Sequence, residues 1–128
     1  MTFALMRFYN ISGTLTLINT LIANNTGSPS CASGTIINDG TGNLRWPLAD
    51  ASCPGTAGDP KLGALVYNGG PTQTIALQTG SAAIQLATTN CPATDQRSFV
   101  RRLLGGKCDA GAYEFGAGFF NYLPIIFK

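Results

Sequence analysis

The chain contains no histidine and a single glutamate, Glu114. Without histidine, no Ser-His-Asp or Cys-His arrangement can be assembled. A two-carboxylate glycosidase pair would have to join Glu114 to one of the five aspartates. No Cys-x-x-Cys spacing occurs among the four cysteines. With imidazole also absent, the usual nitrogen and sulfur ligands of zinc are not arranged for binding. No long apolar run is present. The segment FGAGFFNYLPIIFK (residues 115–128) is apolar but interrupted by Asn121 and Pro124. It falls short of the roughly 20 residues of a membrane helix.

Charge is scarce too. Charged residues make up 11% of the chain, against roughly 25% in ordinary globular domains. The net charge is +2, and Arg97, Arg101, Arg102 and Lys107 fall close together. Phe99 alone falls among them, short of the aromatic–basic interleaving of a nucleic-acid footprint, which is not expected. The polar surface must come from Thr, Ser, Asn and Gln, with 16 glycines for turns. That mixture favours short strands and tight bends over helices.

The pattern along the chain agrees. Thr14-Leu15-Thr16-Leu17 alternates polar and apolar, the period of a strand with one buried face. Ile18-Asn19-Thr20 is a bend, Leu21-Ile22-Ala23 a second strand, and Asn24-Asn25-Thr26-Gly27 another bend. Asparagine suits such corners because it tolerates left-handed backbone and bonds to nearby amides. The β-branched residues between 14 and 22 disfavour a helix there. Further strands are expected at Gly34–Ile37, Thr72–Leu77 and Ala82–Leu86, with turns at Asn38-Asp39-Gly40 and Asn68-Gly69-Gly70-Pro71. A loose unit of about 20–25 residues recurs, a spacing that suits the coils of a solenoid. Asn38, Asp39 and Asn43 carry oxygen ligands but lack the full pattern of a calcium loop; turn chemistry accounts for them. Trp46 is the only tryptophan. Its expected role is to cover a strand face, with sugar stacking as the alternative.

Cys31, Cys53, Cys91 and Cys108 allow three pairings, and sequence alone does not choose. Local pairs, Cys31–Cys53 and Cys91–Cys108, are favoured because each brackets one Gly/Pro-rich excursion. Two disulfides imply an oxidising compartment, extracellular or at the cell surface. The start, MTFALMRFYN, has too short an apolar run for a signal core. The expectation is therefore a longer parent protein, or an export signal upstream.

Over residues 11–115 an ordered set of motifs carries a resemblance. TLTLINTLIANN is followed by CASGTIINDGTGNL, ASCPGTAGDPKLG, NGGPTQTIAL, GSAAI, CPATDQR and CDAGAYEF. In this order they resemble the "choice-of-anchor Q" domain, the C-terminal region of secreted bacterial right-handed parallel β-helix surface proteins. Gln85 stands where that family usually has Asp, and Ser98 where it usually has Gly after DQR. The resemblance implies an all-β fold: the C-terminal coils of a right-handed parallel β-helix with a loop-rich, disulfide-stapled cap. Residues 1–115 would form coils and cap, and 116–128 an apolar tail.

The resemblance implies no catalytic residue, cofactor or metal. Parallel β-helices do host polysaccharide lyases and hydrolases that use Asp with Arg or Lys. The candidates here would be Asp95, Arg97, Asp109 and Glu114; ionic and turn bonds that fix loops are the stronger reading. The expected function is thus a non-enzymatic extracellular structural module. A self-assembling subunit, joined through the N-terminal edge (residues 1–10) and residues 116–128, is one alternative. A carbohydrate-binding or polysaccharide-degrading β-helix is the other. One continuous core column is expected from Leu15, Leu17, Leu21, Ile36, Ile75, Leu77, Ile84 and Leu86.

Overall fold

Residues 8–26, 29–34 and 36–118 are described by the computed structural model. They hold nine strands of two to five residues and no helix, so the chain is all-β. The first six strands are β1 (Phe8–Asn10), β2 (Leu15–Leu17), β3 (Leu21–Ala23), β4 (Cys31–Ser33), β5 (Ile37–Asp39) and β6 (Leu44–Trp46). They pair in parallel and in order, β1 with β4, β2 with β5 and β3 with β6. Phe8 faces Cys31, Leu15 faces Ile37 and Leu21 faces Leu44, an advance of 22 or 23 residues each time. A further strand, β7 (Thr56–Ala57), adds in parallel to the far edge of β6.

The stacking continues through the bends. The Asn19 amide donates to Thr41 O at 3.0 Å, Gly34 N to Asn10 O at 3.0 Å and Leu44 N to Thr20 O at 2.9 Å. Asn19 and Asn24 take the corners with φ of 52° and 57°, the left-handed geometry expected of asparagine there. At Gly40 a Cβ would lie 2.6–2.8 Å from Ile18, Leu17 and Thr16, so the second tier can approach the first only because that side chain is missing.

Asn43 ties the tiers together. It is buried, and its Nδ2 donates to Leu17 O at 2.7 Å and to Asp39 Oδ1 at 2.6 Å. Its Oδ1 accepts from the Thr20 amide at 2.8 Å. Beyond β6, the disulfide Cys31–Cys53 (Cα–Cα 5.0 Å) folds residues 47–55 back onto β4. Asp50 secures the same loop by accepting from the Ser30 and Ser52 amides at 2.9 and 3.1 Å and from the Ser52 hydroxyl. The Ser30 and Ser52 bonds hold its carboxyl well below the usual carboxylate range.

The direction of pairing changes after Pro60. β8 (Leu62–Val66) and β9 (Thr74–Leu77) form an antiparallel hairpin with a register shift between Leu62 and Leu65. The strand expected at 72–77 forms over Thr74–Leu77, as one arm of this antiparallel hairpin. Asn68 sets its turn, donating through Nδ2 to Thr74 O at 2.9 Å and to Thr74 Oγ1 at 3.1 Å. The expected strand Ala82–Leu86 is a run of turns instead. Gln85 stands at φ 55°, which no strand contains, and its amide donates to Asp109 Oδ1 at 2.8 Å. The expected turn at 38–40 also moves. Asn38 and Asp39 belong to β5, and the chain turns at Thr41-Gly42, with φ of 81° and 71°.

Two buried clusters replace the single expected column. One joins Leu17, Ile22, Cys31 and Cys53, with Phe8, Leu15 and Ile37 against them. The other joins Leu44, Leu77, Ala83 and Ala110, with Leu21, Leu62, Ile84, Leu86, Tyr113 and Phe115 around them. Leu21 and Ile22 are adjacent in one strand, so their side chains leave on opposite faces and enter different clusters. Ile36 is 77% exposed. Ile37 takes the place opposite Leu15, and the period of two turns its neighbour outward. Ile75 is 39% exposed because it lies on the wall of an open groove. Leu17→Ala is accordingly expected to cost about 2–5 kcal/mol. Ile75→Ala should cost less than half as much in the same denaturant titration. Equal losses would contradict this division.

Candidate functional site

The closing segment, residues 91–118, has little regular structure and is organised around charge. Asp95, Arg97, Arg101, Asp109 and Glu114 are all buried. Arg97 meets Asp95 with Nη2 at 2.6 Å and Nε at 3.0 Å from Oδ2, a two-pronged contact. Oδ2 also accepts from the Glu114 amide at 3.1 Å, while Oδ1 accepts from the Arg97 amide at 2.8 Å. An aspartate two residues before the amide it binds forms a short side-chain-closed turn, and here that turn positions its own counter-ion. The Arg97 guanidinium lies 3.8 Å from the Tyr113 ring centre and 4.6 Å from that of Phe99. Planar guanidinium suits both tasks, forked bonding at its edge and stacking on its faces.

Arg101 completes a second pair. Its Nη1 lies 2.8 Å from Glu114 Oε2 and 3.3 Å from Asp109 O, and its Nη2 donates to Gly111 O at 2.8 Å. Glu114 Oε2 accepts the Asp109 amide at 3.0 Å as well. Asp109 spends both oxygens on backbone, Oδ1 on Gln85 N and Oδ2 on Phe115 N at 2.6 Å. Four stretches that are separate in sequence (85, 95–101, 109 and 114–115) thereby converge. The disulfide Cys91–Cys108, with Cα atoms 6.0 Å apart, closes the same unit. At Gly111, with φ 91°, a Cβ would sit 2.9 Å from that of Leu21, so the cluster packs directly on β3.

Environment separates the acids. Burial works against ionisation of Asp95, but the Arg97 bonds and the Glu114 amide outweigh it and leave its pKa below the ordinary value. Burial pushes Asp109 up, against the bonds from Gln85 and Phe115. Burial also raises Glu114, and the neighbouring Asp109 charge adds to the effect. The signs for stability follow. Asp95 stabilises the fold above its unfolded pKa of about 3.9, and that contribution fades as pH falls through the lower folded value. Asp109 and Glu114 act in reverse. Their contribution is complete below their unfolded pKa values and lost as pH rises through the higher folded ones. Comparing variants isolates one group. Asp95→Asn is expected to lower stability at pH 7 by on the order of 2 kcal/mol. The gap to the parent protein should close as the pH drops below about 4. A gap independent of pH in chemical unfolding would contradict the assignment.

An open groove of about 330 Å³ lies beside this cluster. Leu21, Leu62, Leu65, Ile75 and Tyr113 are among its walls, with Gln73 and Gln96 supplying amides and no carboxylate. Glu114 and Asp95 do not line it; their side chains are 1% and 0% exposed and paired with Arg101 and Arg97. A general acid or base must reach the proton it transfers, and these two face protein groups. Nothing among family models, curated proteins or solved structures matches the chain.

The four sequence candidates Asp95, Arg97, Asp109 and Glu114 are thus brought together in one cluster. Arg101 was missed, although three buried acids beside one arginine leave a charge that demands a second cation. The set Asn38, Asp39 and Asn43 is divided: Asn38 is exposed, and Asp39 and Asn43 bond each other. Among the described residues no three acidic, cysteine or histidine side chains form a metal-binding group. Trp46 lies half-buried in β6 opposite Ala23 and does not line the groove. Ser98 holds φ 67°, a geometry that glycine adopts without strain. All four cysteines are in disulfides, and no described helix is long and apolar enough to cross a membrane.

Proposed function

We propose that the chain is a non-enzymatic structural module of an extracellular protein, the terminal coils and closing cap of a right-handed parallel β-helix. One observation carries the reading: three strands repeat in parallel, in register and in order after 22 or 23 residues, with the bends stacked as well. That advance is one turn of a solenoid, and right-handed crossovers are the rule for parallel strands. The resemblance to choice-of-anchor Q domains agrees with a parallel start and an irregular, cross-linked end. The two disulfides suit an oxidising compartment. The acids are committed to structural bonds, which supports a role without catalysis.

Cysteine cross-linking tests the register. Thr16 and Asn38 are direct partners and both exposed. The double variant Thr16→Cys/Asn38→Cys should form a third disulfide on mild oxidation, seen by peptide mapping, while Thr16→Cys alone should not cross-link within the chain. Absence of that bridge would refute the coil reading. Incubation with plant and microbial polysaccharides should release no new reducing ends; release would refute the non-enzymatic part.

Self-assembly is the second reading, because β1, β2 and β3 each keep one edge unpaired among the described residues. Such edges recruit strands. The expected contact regions lie mostly outside the described residues, which include only Phe8–Asn10 and Gly116–Gly118 of them. Sedimentation at micromolar concentration decides. A monomer, unchanged on deletion of residues 116–128, would retire assembly.

A further inference from the structure

The open groove beside the closing cluster carries apolar area that the described residues leave in contact with water. Leu65 and Ile75 face each other across β8 and β9, yet they are 48% and 39% exposed. Both line the groove, and Tyr113 stands in its wall. No charged side chain is among those walls, and Gln73 and Gln96 supply a polar edge. Contiguous apolar surface with a polar rim marks a contact site. At about 330 Å³ the groove is at the lower end of the roughly 300–1,000 Å³ of small-ligand clefts. It suits a few apolar side chains rather than a whole domain.

The last described residue lies close to this groove. Gly118 is buried, with φ 88°, and a Cβ on it would lie 2.6–2.7 Å from the Phe99 ring. The Arg97 guanidinium contacts both that ring and the ring of Tyr113, at 4.6 and 3.8 Å from their centres. One side chain thus links the point where the chain leaves the body to the groove wall. Beyond Gly118 comes FFNYLPIIFK, residues 119–128, outside the described residues. Through Phe127 it has no charged side chain. Leu123, five residues past Gly118, has a reach of up to about 18 Å from it.

We propose that residues 119–128 of the same chain fold back and occupy this groove, with Leu123 and Ile125 against Leu65, Ile75 and Tyr113. Pro124 favours extended backbone at Leu123, and side chains two apart in an extended chain share a face. Leu123, Ile125 and Phe127 therefore present one apolar edge. Charge selects the occupant. An anionic glycan or a nucleic acid would lose water in the groove and meet no counter-ion. The tail brings no charge as far as Phe127, whereas residues 1–7 carry Arg7. Tethering selects the tail over the same segment of a second copy. A short tether holds its end at an effective concentration in the mM range, far above that of free protein in solution. The inference does not depend on the solenoid reading.

Photo-cross-linking of the full chain tests this. Phe127→p-benzoylphenylalanine keeps an aromatic side chain and bonds to its neighbours on illumination. Peptide mapping should place the cross-link within one chain, to residues 62–77 or 110–113. Leu65→Gln/Ile75→Gln in the groove should cut the yield by about 10-fold or more, with near-UV circular dichroism and both disulfides unchanged. Leu123→Gln/Ile125→Gln in the tail should do the same. Deletion of residues 119–128 should raise the fluorescence of an added anilinonaphthalene sulfonate dye, and the two groove substitutions should remove that rise. Any of five results would overturn the proposal: no cross-link, a cross-link to another part of the chain, a cross-link between two chains, a yield unchanged in the groove variant, or dye fluorescence unchanged by the deletion. The third would assign the groove to a second copy.

Discussion

Glu114→Ala is expected to destabilise the protein by about 3–5 kcal/mol, the loss that follows when one partner of a buried ion pair is removed. Glu114 is 1% exposed, and its Oε2 receives both Arg101 and the Asp109 amide. Without it, the Arg101 guanidinium remains buried with only carbonyl oxygens around it. Burial raises the pKa of Glu114, so its charge is costly by itself and is tolerated because Arg101 is adjacent. The double variant Arg101→Met/Glu114→Leu should recover much of the loss, since apolar side chains of similar volume can replace a buried pair. Urea unfolding of the three variants measures this. A double variant as unstable as Glu114→Ala would mean that the backbone bonds of the cluster, rather than its charges, carry the stability.

Asn43 gives the second large effect. It supplies two donors and one acceptor to three different partners, all within 2.8 Å. Asn43→Ala leaves the Thr20 amide without its partner, while the Leu17 carbonyl keeps the bond from the Gly40 amide at 2.7 Å. At about 1–3 kcal/mol for a buried group left unsatisfied, the expected loss is about 1–3 kcal/mol. Asn43→Asp keeps the shape but replaces the donor with an acceptor facing Leu17 O and Asp39. Two carboxylates would then meet where one amide served. That variant should be least stable at neutral pH and should recover part of its loss in acid, where one of the two is protonated. A variant insensitive to pH would show that Asp39 moves away.

The pair of variants also marks where sequence reading ends. Leu15–Leu17 and Leu21–Ala23 were legible as strands because their alternation is local and the β-branched neighbours exclude helix. The corner asparagines were legible for the same reason. Asn43, by contrast, lies in a run of turn residues, and nothing local distinguishes a solvated turn amide from one inserted between tiers. Ile36 and Ile37 are chemically identical neighbours; only the register against β2 decides that Ile37 faces Leu15. The segment Ala82–Leu86 has the composition of a strand, yet Gln85 turns left-handed and its amide meets Asp109, 24 residues away.

The sequence by itself determined the all-β class, the positions of the first strands and their bends, and the pool of cysteines from which two local disulfides form. These follow from side-chain shape, alternation and backbone preference over a few residues. The resemblance implied parallel coils, and β1–β7 do pair in parallel; tertiary structure alone decided that β8 and β9 form an antiparallel hairpin. It also decided that the scarce charges of the closing segment are spent inside. Pairing direction depends on which distant strand supplies the hydrogen bonds. The burial of Glu114 depends on whether Arg101, 13 residues away in the chain, can reach it. Neither condition is written in any short stretch of the chain.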